Sequence, residues 1–162
     1  DSLASVLPTI RSRCVSFAIA PVSPADCARY CTAHGVDKKT AALYSELFDG
    51  HIGTVLTAAR DKARTEQVDK AMELARAAQA GDSYTAAVLL APYEKDKAGA
   101  AALLRDLRAV AAAGLQGSPP APVQGQQAQR TLRLAEAAIQ RLGAQVNPKI
   151  VLTVFAARLA HA

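Results

Sequence analysis

The strongest constraint on this chain is what its interior can be made of. It has no tryptophan, only 4% aromatic residues, and a 51% apolar fraction that is heavily alanine. A core drawn from Ala, Leu, Val and Ile offers little bulk per side chain, so the backbones must come close together. Helices with small residues at their contacts achieve this; a sandwich or barrel interior is harder to fill. The expectation is therefore an all-α protein. At 162 residues it is long enough to bury a sizeable core as one or two units.

The apolar periodicity divides the chain. "SPAD" at 23–26 reads as a helix start, with Ser23 as cap, Pro24 in the first turn and Asp26 at the positive end of the dipole; the helix should stop at Gly35. Asp37 should cap "KKTAALYSELF", with Ala41, Leu43, Leu47 and Phe48 inward, and "HIGTVLTAARDK" supplies a third short helix through Ile52, Val55, Leu56 and Ala59. From Thr65, taken as a cap, longer helices follow. Val68, Met72 and Ala75 line one stripe, Leu103, Leu104, Leu107 and Val110 another, and Leu132, Ala135, Ile139 and Leu142 a third. Pro92 should end or kink the helix before it. Residues 116–126, rich in Pro, Gly and Gln, read as a loop inside the second unit. Asn147 and Pro148 open a last helix that is apolar on most faces, with Ile150, Val151, Val154, Phe155 and Leu159. The expected units are a short extended segment over 1–22, a three-helix bundle over 23–64, and a bundle of about five helices over 65–162.

Several chemistries are excluded by pattern. There is no G-x-x-x-x-G-K-[ST] phosphate loop and no strand-to-helix G-x-G-x-x-G. No apolar run reaches the length of a membrane span. Three cysteines form an odd set without framework spacing, which points to a reducing, cytoplasmic setting. Cys27, Cys31 and His34 fall on one helical face and could be read as zinc ligands, but with no second ligand pair the plainer reading is small cysteines packed inward. His51 beside Asp49 and Ser45 lacks a nucleophile elbow or oxyanion hole.

Net charge is +5. From Gln129 onward five basic residues face only Glu136, and Arg130, Arg133 and Arg141 fall within an arc of roughly 80° on a helix of 3.6 residues per turn. Such a stripe could track phosphates or an acidic partner; it could equally be a solvated face. "IRSRC" at 10–14 is the remaining candidate. A guanidinium is permanently charged, forks onto phosphate oxygens, and in some phosphoryl-transfer systems is supplied by a neighbouring subunit.

The stretch "LPTIRSRC" resembles the Ser-Arg-Cys motif of clamp-loader AAA+ subunits, with Ser12, Arg13 and Cys14 as the motif. Residues 15–61 are similar to the last strand of that family's ATPase core followed by its lid, whose "G..g" pattern appears within Leu47–Leu56. "QVNPKIVLTVFAARL" resembles the closing helix of the collar. The resemblance implies that Arg13 is an arginine finger acting in trans, with Ser12 and Cys14 as motif neighbours. The ATP would be bound by the adjacent subunit, so this stretch needs no cofactor and is not expected to be catalytic alone. The implied partners are gamma/tau and delta clamp-loader subunits and, through the assembled complex, the sliding clamp and primed DNA, with no membrane. The resemblance also implies that the chain, beginning at Asp1, is the C-terminal part of a longer subunit. Ile52-Gly53-Thr54-Val55 stands where ATP-hydrolysing relatives would carry a sensor arginine, which points to a subunit that assists rather than hydrolyses. A different class of reading is a helical interaction module that binds DNA weakly through Arg130, Arg133 and Arg141.

Overall fold

The computed structural model describes residues 7–15, 17, 19–20, 22–118 and 121–160, and the described residues hold helices and no strand. In chain order these are α1 (Pro8–Arg11), α2 (Pro24–Ala33), α3 (Lys38–Leu47), α4 (Ile52–Arg60), α5 (Lys62–Ala80), α6 (Ser83–Leu90), a 3-10 turn (Ala91–Tyr93), α7 (Lys97–Leu115), α8 (Gly125–Gly143) and α9 (Pro148–Ala160).

Helix starts follow side-chain chemistry closely. Ser23 Oγ accepts from the Asp26 amide at 3.1 Å, and Asp37 Oδ2 accepts from the amides of Lys39 and Thr40 at 3.0 and 3.2 Å. Asp82 serves α6, Asp96 serves α7, and Asn147 Oδ1 accepts from the Lys149 amide at 2.9 Å to open α9. Each satisfies an amide that the first turn of a helix leaves without a partner. The Thr40 amide, chiefly, holds the Asp37 carboxyl below the usual carboxylate range; the Thr85 hydroxyl does the same for Asp82.

Two expectations are corrected. The cap of α5 is Asp61, whose Oδ1 accepts from Ala63 and Arg64, so the helix starts one turn before Thr65. Thr65 instead directs its hydroxyl back to the carbonyls of Ala58 and Asp61, joining α4 to α5. Within the segment expected to be extended, Pro8–Arg11 form a helical turn: Pro8 takes the first position, and the Ser12 amide reaches the Pro8 carbonyl at 3.0 Å. The expectation for residues 1–6 lies outside the described residues.

Helices α2, α3 and α4 pack on one another, while α5 through α9 form a second set in which α7 lies along α8 and α6 along α9. The two sets join through the α4–α5 corner and through α3 against α7, and their buried residues form one contiguous cluster. Its bulk comes from Leu74, Leu90, Leu103, Leu104, Leu107 and Leu142, interleaved with fully buried alanines such as Ala71, Ala100 and Ala135. Gly114 shows how close the backbones come: a Cβ there would run into the Val123 carbonyl. Gly50 does the same at the α3–α4 turn, where it has φ +71° and a Cβ would strike the carbonyl of Val22. Only glycine fits both the left-handed backbone and the approach.

The stripes of α5 and α7 are buried as expected, but Ile150 is 58% exposed. Around α9 the interior face is Val151, Leu152, Phe155, Ala156 and Leu159. With Ile150, Tyr84 and Val88 outward, α6 and α9 present apolar surface on their outer sides as well.

Candidate functional site

The Ser12-Arg13-Cys14 stretch follows directly on α1. Pro8 fixes the first turn, the Arg13 amide reaches the Ile10 carbonyl at 3.1 Å, and Ser12 Oγ donates to the Thr9 carbonyl at 3.1 Å. Ser12 therefore spends its hydroxyl on the turn, and all three side chains face solvent. Arg13 makes no ion pair among the described residues. Beyond it Val15, Phe17 and Ile19 are 80%, 86% and 94% exposed. Alternate apolar residues of this kind have the pattern of a half-buried strand, yet here they cover nothing.

The α3–α4 turn that carries the lid-like pattern is sharply folded. Asp49 and Gly50 both take positive φ, and the Gly50 amide bonds the Ser45 carbonyl at 2.9 Å. Ser45 is fully buried with its hydroxyl unpartnered, while Asp49 and His51 are exposed, so the three do not form a catalytic relay. Their neighbourhood is a groove of about 370 Å³ where this turn meets α7 and α8, lined by Phe48, Arg108 and Glu136 among others.

Cys27 and Cys31 are wholly buried on α2, and His34 is exposed, stacked on Tyr30 with its Nδ1 2.8 Å from the Tyr30 carbonyl. The three do not converge, and among the described residues no cluster of His, Cys, Asp or Glu is suited to a metal. Burial, first, and the neighbouring Cys27 raise the Cys31 thiol, which keeps it protonated.

The arginine stripe divides. Arg133 and Arg141 are exposed, whereas Arg130 is half-buried and donates to the Arg158 carbonyl at 2.7 Å, closing the end of α9. Gln127 adds a bond from its amide to the Ala78 carbonyl and another to that of Leu159.

One polar constellation escaped the sequence reading. Arg64 on α5 grips the Asp106 carboxylate on α7 with both terminal nitrogens, and Gln67 Nε2 donates to the same carboxylate at 2.8 Å. The guanidinium also lies 5.9 Å from the Phe48 ring centroid at the end of α3. The hydrogen bond to Asp106 is the largest influence raising the Arg64 pKa. The partners are separated by 42 residues; the only signal was an aspartate, Asp106, set inside an otherwise apolar stripe. Its geometry is that of a fastening between helices.

No helix among the described residues is long and apolar enough to cross a membrane. Compared with known protein families, with curated proteins and with solved structures, the chain matches none.

Proposed function

We propose that this chain is the motif-bearing, lid and collar part of a delta-prime-like subunit of the bacterial DNA polymerase III clamp loader, with Arg13 serving the ATP site of a neighbouring gamma-type subunit. The observation that carries the reading is the presentation of Arg13. It stands on a hydrogen-bonded turn, in solvent, unpaired among the described residues, and is followed by apolar residues that lack a cover. A guanidinium held this way can fork onto phosphate oxygens of a nucleotide it does not itself bind and stabilise charge that develops during transfer. Ser12 and Cys14 act only by shaping and flanking the turn.

In this reading Val15, Phe17 and Ile19 belong against a sheet of the ATPase core, residues 23–64 are the lid, and residues 65–162 are the collar. The mutual packing of α2–α4 and of α5–α9 supports two units, with their boundary at Asp61, where α4 ends and α5 begins, rather than at Thr65. The outward apolar residues of α6 and α9, Tyr84, Val88 and Ile150, support the assembly of collars from gamma/tau and delta subunits side by side. The loader as a whole would then act on the sliding clamp and primed DNA.

The test is Arg13→Ala in the full-length subunit, reconstituted with its partners. Assembly should be unchanged, while DNA-stimulated ATP hydrolysis at the served site should fall by about 10³-fold or more. Undiminished hydrolysis would refute the assignment.

A further inference from the structure

We propose that the outward face of α7 and α8 is a sequence-independent contact for the phosphate backbone of duplex nucleic acid, centred on Arg133 and Arg141. The first observation is a segregation of charge. From Lys97 to the end the chain carries eight basic residues and two acidic ones, although the preceding residues are balanced, with eleven basic and twelve acidic. Only one of the two acids offsets this excess on the surface. Asp106 is buried beneath Arg64, and Glu136 faces Arg108 at 4.0 Å across the α7–α8 seam.

The second observation is what the rest of the face is made of. Arg133 and Arg141 are exposed, with Gln126, Gln129 and Gln140 exposed on the same side of α8, and Arg105 stands exposed one turn before Arg108 on α7. The face thus offers cations and amides around one exposed carboxylate, Glu136, which lies one turn from Arg133 and is drawn toward Arg108. Arg133 and Arg141 are eight residues apart, about 12 Å along the helix at 1.5 Å per residue. With the two side chains about 80° apart around the axis, each can reach a different phosphate of one duplex. Arg130 is not counted, because its guanidinium is held on the Arg158 carbonyl.

Two alternatives fit less well. Single strands are held by stacking on aromatic rings, and neither α7 nor α8 contains one. An acidic protein would need an apolar anchor at the centre of the contact; no large apolar side chain of α8 is exposed, and on α7 the exposed one is Leu115, at the very end of the helix. A uniform polyanion needs neither. This contact is separate from Arg13, and each assignment stands or falls without the other.

The experiment measures binding of the chain to a labelled duplex across a salt series by fluorescence anisotropy. Log affinity should fall linearly with log salt, with a slope of about −0.9 per phosphate engaged. Arg133→Gln/Arg141→Gln should make the slope shallower by about 1.8 and weaken binding at low salt by about tenfold or more. The charge-matched pair Lys38→Gln/Arg76→Gln, on exposed positions elsewhere, should leave slope and affinity as they were, with all variants showing the parent's circular dichroism. The proposal is overturned if the duplex does not bind at low salt or if the control pair weakens it equally. It is also overturned if a single strand binds as tightly, or if polyglutamate displaces the duplex as readily as unlabelled duplex does.

Discussion

Asp106→Ala should be among the most damaging single substitutions in this protein. The aspartate side chain is 6% exposed and its partner Arg64 24% exposed. Truncation would leave a mostly buried guanidinium without its carboxylate and take the acceptor from Gln67. Breaking a buried ion pair from one side costs about 3–5 kcal/mol, and the water that still reaches Arg64 places this case near the lower end, about 3 kcal/mol. For a chain of this size that corresponds to a fall in Tm of roughly 6–12 °C. Urea and thermal unfolding followed by far-ultraviolet circular dichroism measure it directly. The companion is Arg64→Met/Asp106→Leu, which removes both charges and fills the space. It should recover stability to within about 1 kcal/mol of the parent, because two well-packed apolar residues carry no desolvation penalty. Amide exchange at the α3–α4 turn should quicken in Asp106→Ala, since Phe48 packs under the same guanidinium. A loss below about 1 kcal/mol in the single variant, or a double variant as unstable as the single, would refute the view that burial of the charge sets the cost.

Gly114→Ala, ordinarily a gain within a helix, should destabilise by about 2 kcal/mol, because the added methyl meets backbone at Val123 and cannot be accommodated by a rotamer change; a Tm equal to or above the parent's would contradict the close approach. Of the three cysteines, Cys14 is exposed while Cys27 and Cys31 are buried. An uncharged thiol reagent should therefore label one residue rapidly in the native chain and all three after unfolding, with mass spectrometry placing the fast label on Cys14. Fast native labelling of Cys31 would count against the packing of α2.

The helices were legible because their signals are local. A cap, a proline in the first turn and an apolar stripe lie within a few residues of one another, and Ser23, Asp37 and Asn147 behave accordingly. Thr65 misled because two competent caps stand four residues apart, and only the α4–α5 corner decides between them: Asp61 can reach the free amides, whereas Thr65 is drawn to the end of α4. The turn at Pro8 was hidden by the β-prone residues after it, although a proline in first position was the available clue. A helix apolar on most faces gives no phase, so the sequence could not say that Ile150 is the apolar residue left outward. Arg64 with Asp106, and Arg130 with Arg158, depend on tertiary neighbours, so spacing could not distinguish a fastening arginine from a free one. Of the candidate site, the sequence supplied the identity of Arg13, and the structure supplied its exposed turn.

The contact between Gly50 and Val22 has a mechanical consequence. The chain that bears Arg13 leaves the helical body at Val22, which is seated against a turn that accepts only glycine. Arg13 lies nine positions before that point, so it can stand at most about 30 Å from it. The α3–α4 turn is therefore an anchor, and in the proposed assembly its position limits how far the motif can lie from the helical body.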